Sequence, residues 1–291
     1  MAKKDNNVIN RPVTRKKFDL FPILNGLFFL IFCLLIIIPM WKVIVDSFDL
    51  QAAYGMRLWP AKFGFDGYAS VFRNPTFARP LGISFLTMIS GTLLSLFITT
   101  LSAYVLIQYD MPGRNAFSMF LLFTMIFNGG LIPTYLALKS LGMLNTLWVV
   151  ILPHALNVYN VVLMRNFFEG IPGSLFEAAD IDGASPMQQF IKIALPLSKP
   201  ALASIGLMSA VQFWNDYTSY KLYITTEKLY NFQMKLRQVV MSSDLPQQVG
   251  GATENTVRNA AIIVVILPFA ILYPFLQKYF VKGVNIGAVK E

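Results

Sequence analysis

Six long apolar stretches divide the chain, and each contains few or no charged side chains. They cover residues 20–41, 82–107, 116–138, 146–164, 200–215 and 259–277. A bilayer core about 30 Å thick is crossed by roughly 20 mostly apolar residues in a helix. Most of the stretches have about that length, and 200–215 is the shortest. The pattern therefore predicts an all-α membrane protein with six transmembrane helices.

The composition supports a membrane location. Apolar residues make up 55% of the 291 residues and charged residues only 13%, whereas about 25% charged residues is usual in soluble domains. The net charge of +9 is scattered between apolar stretches, which argues against a nucleic-acid-binding domain. Cys33 is the only cysteine in the sequence, so an intrachain disulfide and a multi-cysteine metal site are excluded.

The ends of the chain suggest an orientation in the membrane. A basic tail, 1–19, contains six Lys or Arg residues against two Asp residues, which places it in the cytoplasm by the positive-inside tendency. Six spans within a permease domain, 20–285, then return the C-terminal tail, 286–291, to the same side. Connections 108–115 and 165–199 are expected to be cytoplasmic.

The remaining connections, 42–81, 139–145 and 216–258, are expected to face outward. In this arrangement 13 Lys and Arg residues lie inside and 11 outside. The bias is therefore clear at the N-terminus and weak over the whole chain.

The cytoplasmic connection 165–199 contains explicit signals for helix ends. Ser174 and Glu177 fit a capping box at the start of a helix, and Gly183 is suited to the position just after its end. Ser185, with Pro186 and Gln188, fits a second helix start. The loop is predicted to form two short helices with a sharp bend at Gly183.

Two interpretations of the first short helix remain open. Its small apolar residues and its acids, Glu177, Asp180 and Asp182, suit docking into a groove of a partner protein. Alternatively, it is an amphipathic helix lying at the membrane interface, although such helices on an anionic leaflet are usually basic.

The same loop carries a family signature. Glu177-Ala178-Ala179, Gly183, Ile193 and Leu195-Pro196 match the pattern E-A-A-x3-G-x9-I-x-L-P without a gap. Over roughly residues 20–285 the chain thus resembles the membrane permeases of binding-protein-dependent ABC importers, in the carbohydrate branch of the smaller maltose permease. The stretches 128–135 and 141–148 are most similar to the sub-branch that serves oligosaccharides or polysaccharide fragments.

This resemblance implies that the first short helix is a coupling helix, which docks on a separate ATPase subunit. The implied coupling residues are Glu177, Ala178, Ala179, Asp180, Gly183, Ile193, Leu195 and Pro196. The implied partners are a second homologous permease in a heterodimer, two ATPase subunits that bind ATP and Mg²⁺, an extracytoplasmic solute-binding protein and a carbohydrate solute. The implied location is the lipid bilayer of a bacterial or archaeal plasma membrane.

Motifs for covalent chemistry are missing from the sequence. It contains no G-x-x-x-x-G-K-[ST] phosphate loop, no metal-binding constellation and no paired carboxylates in a span, so we expect no catalytic residue and no cofactor or metal in this chain. Two alternatives stay open: an ABC importer of amino acids, peptides or polyamines, and an ion-coupled secondary transporter. The latter should contain ionisable residues in its spans, where this chain has His154 and almost no charge.

Aromatic and amide side chains in the later spans are candidates for lining a sugar path, because sugars bind aromatic faces and amide groups. These candidates are Asn128, Tyr135, His154, Asn157, Tyr159, Asn160, Trp214, Asn215 and Tyr217. Each has an alternative explanation: the aromatic residues suit interfacial belts and the amides suit bonds between helices. His154 follows Pro153, which favours a contact of its ring with a backbone carbonyl near the kink over a role in the path.

Two further patterns concern the packing of the spans. Small and weakly polar residues recur at helical spacing along the second span, at Ser84, Thr87, Gly91, Ser95, Thr99 and Ser102. We expect this face to pack closely against another helix, with a polar path lining as the alternative. Pro133, Pro153 and Pro268 are each expected to favour a kink.

Overall fold

A computed structural model describes residues 20–52, 55, 57–108, 110–241 and 251–288, with side chains given between Phe21 and Pro274. The basic tail 1–19 and residues 289–291 of the C-terminal tail lie outside these ranges. The described residues are mainly helical and contain no strand, and Asp49 and Phe63 form an isolated antiparallel bridge. The prediction of an all-α chain is confirmed.

Fourteen α-helices are found in the described part of the chain. They are α1 Leu20–Phe48, α2 Asp66–Arg73, α3 Pro75–Ile107, α4 Arg114–Ile126, α5 Leu131–Ser140, α6 Trp148–Ala155, α7 Val158–Glu169, α8 Gly173–Ile181, α9 Pro186–Gln189, α10 Leu195–Leu197, α11 Lys199–Asn215, α12 Thr218–Tyr223, α13 Phe232–Met241 and α14 Glu254–Ala288. A π-helical turn, Phe190–Ala194, joins α9 to α10, and a 3₁₀ turn covers Glu227–Leu229.

Three described helices are long and apolar enough to cross a membrane alone, namely α1, α3 and the part of α14 up to Pro274. Three more candidate spans are bent pairs: α4 and α5 meet at 117°, α6 and α7 at 42°, and the segment 186–197 meets α11 at 80°. The described helices therefore provide three spans, or up to six if each bent pair counts as one.

Local sequence explains where the predicted spans 116–138 and 146–164 break. The first breaks at Phe127–Gly130, where Gly130 has a φ of +88° and its N–H donates to the Asn128 side chain. The second breaks at Leu156 and Asn157, just after Pro153. Pro133 lies in the first turn of α5, and α14 continues as one helix through Pro268.

The small-residue stripe of α3 is a packing face. Ser84, Thr87, Ser95 and Thr99 are buried. The Ser84 hydroxyl accepts a bond from the Phe232 N–H at 2.9 Å, and the Tyr220 hydroxyl donates to Thr87 at 3.1 Å. The prediction of close helix packing is confirmed, and these buried side chains do not line an open path.

Gly91 makes the closest approach on this face. A Cβ atom at Gly91 would lie 2.6 Å from the ring of Phe213 in α11, so only glycine allows the two helices to pack this closely. Four residues along α3, Ser95 meets Ser209 of α11 with 3.3 Å between the hydroxyl oxygens. The contact between α3 and α11 is thus made by small side chains against one large ring.

We expect Gly91→Ala to destabilise the folded chain by about 1–3 kcal/mol, because the added methyl group forces the Phe213 ring to move. The matched variant Gly82→Ala lies on the same helix and has no atom within 4 Å of the new methyl group, so it should not lower stability. Thermal unfolding of the purified chain in detergent measures both. Equal unfolding temperatures for the two variants would contradict the predicted packing.

Asp49 organises the connection between α1 and α2. Its carboxylate is 2% exposed and accepts bonds from the backbone N–H groups of Gln51, Ala61 and Lys62 at 3.0–3.1 Å. Arg57 lies 3.9 Å away. Burial alone would raise the pKa of Asp49, but these N–H groups and Arg57 outweigh it and hold the pKa below its ordinary value.

Because its pKa is lowered, ionised Asp49 should stabilise the protein fully above the ordinary carboxyl pKa of about 4. That stabilisation should be lost as the pH falls through the lowered pKa. We expect Asp49→Asn to cost about 1.5–3 kcal/mol at pH 7, with a difference from wild type that shrinks in acid. Unfolding temperatures of both proteins in detergent across pH 3–7 measure this. A difference that grows in acid would contradict it.

Candidate functional site

The first short helix of the connection 165–199, α8, begins differently from the prediction. The predicted capping box at Ser174 and Glu177 is wrong, because Pro172 occupies the N-cap position and no side chain caps the helix. The helix starts directly after Pro172, at Gly173. The Ser174 hydroxyl is therefore already inside the first turn and does not cap the helix.

The end of α8 agrees with the prediction. Gly183 has a φ of +75°, a conformation that glycine adopts at little cost. The Ala184 N–H donates to the Ala179 carbonyl at 2.9 Å, and the Gly183 N–H donates to the Asp180 carbonyl at 3.0 Å. This pair of bonds is a Schellman motif, so the predicted bend at Gly183 is confirmed.

The second predicted helix start is also confirmed. The Ser185 hydroxyl accepts from the Gln188 N–H at 3.3 Å, and the Gln188 side chain accepts from the Ser185 N–H at 2.9 Å. Pro186 occupies the first helical position of α9. Both sides of the bend are therefore fixed by local hydrogen bonds.

Buried contacts tie the two short helices to each other and to α3. Gln189 is buried and donates to the Asp180 carboxylate of α8 at 2.5 Å. The Tyr104 hydroxyl, near the end of α3, donates to the Pro186 carbonyl at 3.0 Å. The rings of Tyr104 and Phe190 lie 4.9 Å apart. These contacts link α8, through α9 and the π-helical turn, to the end of α3.

The outer surface of α8 is free of contacts within the described chain. The helix contains no buried residue, and Ile181 is 87% exposed. Glu177 and Ala178 are exposed, and Ala179 is half-buried. Glu177, Ala178 and Ile181 share one side of the helix by their i, i+3 and i, i+4 spacing. The surface offers an acid, a small residue and a large apolar side chain to a partner.

The second half of the signature lies elsewhere, in the bend that leads into α11. The π-helical turn precedes Pro196 and is closed by a bond from the Leu195 N–H to the Phe190 carbonyl. Pro196 has no N–H for the Lys192 carbonyl, so a wider turn suits this position. Ile193 and Leu195 are half-buried, and α11 leaves at 80°. These residues shape the bend, whereas Glu177 and Ala178 form the exposed surface.

The path candidates Asn128 and Tyr135 flank the break between α4 and α5. Asn128 is exposed, and its side chain accepts from the Gly130 N–H at 2.9 Å. Tyr135 stacks on Tyr223 of α12 with 6.1 Å between ring centroids. Neither aromatic ring of this pair is buried, so both can contact a solute.

The candidates around the break between α6 and α7 have contacts within the bundle. His154 Nδ1 lies 3.1 Å from the Val150 carbonyl oxygen, in agreement with the alternative that its ring contacts a backbone carbonyl near Pro153. Asn157 caps α7 by accepting from the Asn160 N–H. Asn160 is buried and donates to Ser209 of α11 at 3.4 Å. Tyr159 is exposed and is the most exposed member of this group.

The candidates at the end of α11 differ in exposure. Trp214 is 1% exposed, and its indole N–H donates to the Val265 carbonyl of α14 at 3.1 Å. Asn215 is exposed and accepts from Gln233 at 3.2 Å. Tyr217 lies under Arg237, whose guanidinium carbon is 4.5 Å from the ring centroid. In this conformation Trp214 packs between helices, and a role of these residues in the path stays a prediction.

A cavity of about 360 Å³ lies beside Trp214, between α11 and α14. Its lining is mainly apolar and includes Val211, Val265 and Phe269. A sugar path needs several hydrogen-bonding groups, so this cavity does not have the chemistry of a sugar site. Among the described residues there is also no group of three or more potential metal ligands.

The fold and the signature loop define a membrane permease of an importer. The family of the binding-protein-dependent transport system inner membrane component matches residues 21–286, and the chain belongs to this family. The resemblance inferred from the signature is confirmed. The chain is a transport subunit, which agrees with the expectation that it is not an enzyme.

Individual relatives are similar over most of their length. Protein LplC of Bacillus subtilis (strain 168) is 43% identical, covering 87% of this chain and 89% of that protein. The polygalacturonan/rhamnogalacturonan transport system permease protein YtcP of the same strain is 39% identical, covering 93% and 98%. A crystal structure of a bacterial ABC transporter involved in the import of the acidic polysaccharide alginate has a chain that is 30% identical, with a TM-score of 0.84, covering 93% of this chain and 100% of that one.

We expect Gln189→Glu to loosen α8, because it places a second carboxylate against Asp180 and removes the donor between the helices. Gln188→Glu is the matched control, since glutamate at this position preserves the capping box with Ser185. Hydrogen exchange of the amides in 173–184 should be faster in Gln189→Glu and unchanged in Gln188→Glu. Equal exchange in the two variants would contradict the predicted link.

Proposed function

We propose that the chain forms half of the translocation path of an ATP-driven importer for oligosaccharides or polysaccharide fragments. The observation that carries this proposal is the exposed surface of α8 at Glu177 and Ala178, held on a rigid bend inside a transport-permease fold. The names of YtcP and of the alginate transporter support a carbohydrate cargo. Family membership argues against the alternative of an ion-coupled secondary transporter.

The proposed topology has six spans, with each bent pair crossing once. Both termini lie in the cytoplasm of a bacterial or archaeal cell, and the chain resides in the plasma membrane. The connection 165–199 then lies on the cytoplasmic side, between the fourth and fifth spans. This places α8 where a soluble ATPase can reach it.

In this proposal α8 inserts into a groove of an ATPase subunit, which is the subunit that holds ATP and Mg²⁺. Motion of α8 passes to α3 through Asp180, Gln189 and the bond from Tyr104 to Pro186. It passes to α11 through the π-helical turn. Rocking of these spans against a second, homologous permease exposes the path alternately to the two sides. A solute-binding protein delivers the carbohydrate at the outer face.

We expect Glu177→Lys to lower solute-stimulated ATP hydrolysis of the assembled importer by at least tenfold, because it reverses the charge on the docking surface. Asp110→Lys is the matched control: it makes the same charge change on an exposed residue of the other proposed cytoplasmic connection. The assay is ATP hydrolysis by the complex in nanodiscs with its binding protein.

Co-purification of the tagged chain from its native membrane supplies the second readout. Wild type and Asp110→Lys should retain an ATPase, a second permease and a binding protein, whereas Glu177→Lys should lose the ATPase. Full retention and full activity of Glu177→Lys would disprove the docking role of α8. A complex that imports only amino acids, peptides or polyamines would disprove the carbohydrate cargo alone.

A further inference from the structure

The segments that face outward in the proposed topology carry more basic residues than is usual for segments that are translocated across the membrane. They hold 11 of the 24 Lys and Arg residues, namely Lys42, Arg57, Lys62, Arg73, Arg79, Lys139, Lys221, Lys228, Lys235, Arg237 and Arg258. The positive-inside tendency favours such residues on the cytoplasmic side. Their presence outside therefore needs another physical reason.

Pairing with acids accounts for only three of these cations. Lys42, Arg57 and Arg258 form ion pairs with Asp46, Asp49 and Glu254. Within the ranges that the structure describes, the other eight have no ion pair: Lys62, Arg73, Arg79, Lys139, Lys221, Lys228, Lys235 and Arg237. The outer face therefore has an excess of uncompensated positive charge.

Two of the eight lie together on Tyr217, one residue beyond the α11 C-cap. The Arg237 guanidinium carbon is 4.5 Å and the Lys221 ammonium nitrogen 5.8 Å from the centroid of the Tyr217 ring. Cation–π attraction holds both groups near the ring. Arg237 and Lys221 are exposed, so their N–H groups are free to donate to a ligand.

Buried hydrogen bonds fix the helix that carries Arg237. Asn231, which is fully buried, donates to the Asp216 carbonyl at 2.6 Å and accepts from the Met234 N–H at 2.9 Å. Gln233 donates to Asn215 at 3.2 Å. These bonds hold the start of α13, the helix that carries Arg237, against the end of α11.

The acid beside this cluster is turned away from it. One oxygen of the Asp216 carboxylate accepts from the Ser219 N–H at 3.0 Å, and the other oxygen is buried. Neither oxygen of Asp216 pairs with Arg237 or Lys221. The cations therefore keep their charge available to an anionic ligand.

We propose that Tyr217, Lys221 and Arg237 form a binding site for the carboxylates of an acidic, uronate-containing oligosaccharide. The inference rests on the proposed function and narrows its cargo. A guanidinium group binds a carboxylate through two parallel N–H bonds, and the neighbouring ammonium group binds a second carboxylate of the same chain. The remaining cations of the outer face attract the anionic cargo and raise its local concentration.

The test uses the assembled importer in proteoliposomes with its ATPases and binding protein. The probes are tetragalacturonate and the neutral maltotetraose, and ATP-dependent uptake is measured for each. Wild type should import tetragalacturonate and should not import maltotetraose. Import of maltotetraose alone would overturn this inference and leave carbohydrate import intact, whereas import of neither sugar would overturn both.

A double variant that carries both Lys221→Gln and Arg237→Gln, the test pair, tests the site. We expect the half-saturating concentration of tetragalacturonate to rise about tenfold, as for the loss of one charged hydrogen bond. The effect should shrink at high salt. The control pair, a double variant with Lys139→Gln and Lys228→Gln, removes the same amount of charge at residues that do not contact the Tyr217 ring. A second control, Arg237→Lys, preserves the charge at position 237.

Two results would overturn the assigned site. One is an equal rise of the half-saturating concentration of tetragalacturonate in the test pair and the control pair, which would mean that only the overall charge matters. The other is weaker capture of the sugar-free binding protein by the test pair, which would identify the cluster as a protein contact. A shift confined to the test pair, with unchanged capture of the binding protein and partial recovery in Arg237→Lys, would support the site.

Discussion

Close contact between α3 and α11 is the constraint on which the rest of the structure depends. In a bilayer, apolar side chains gain little from leaving lipid, so helices associate through tight packing and short polar contacts. Gly91 allows the Phe213 ring to approach α3, and Ser95 meets Ser209 four residues further on. The same face of α3 binds Tyr220 and the start of α13. The segments that follow α11 are therefore held on the same face of α3 as α11 itself.

A series of short helices and bends connects α11 to the exposed surface of α8. Gly183 ends α8, Gln189 fixes α8 against α9, and the π-helical turn before Pro196 leads into α11. Each break is stabilised by local hydrogen bonds. In the proposed function, these bonds allow a displacement of α8 to reach the membrane helices without local unfolding of either bend.

The exposed surface of α8 and the segment at the end of α11 carry exposed charges of opposite sign. At α8, Glu177 is exposed, whereas Asp180 accepts a hydrogen bond from Gln189; an exposed acid suits docking to a basic groove. At the end of α11, cations are placed over Tyr217 while the neighbouring acid, Asp216, is turned inward. Between these ends, the spans contain small polar groups that bond to each other. Charge is therefore concentrated at the two surfaces for which we propose contacts with a partner and with solute.

The sequence alone determined the helical class and the loop with its bend at Gly183, because apolar length, a glycine at a helix end and the Ser185 cap act over a few residues. It misplaced the start of α8, because Pro172 occupies the N-cap position and Ser174 already lies inside the first turn of the helix. Only the tertiary structure decided that Trp214 and Asn160 pack between helices and that Arg237 lies on Tyr217. Those outcomes depend on contacts between residues distant in sequence, which no local pattern encodes.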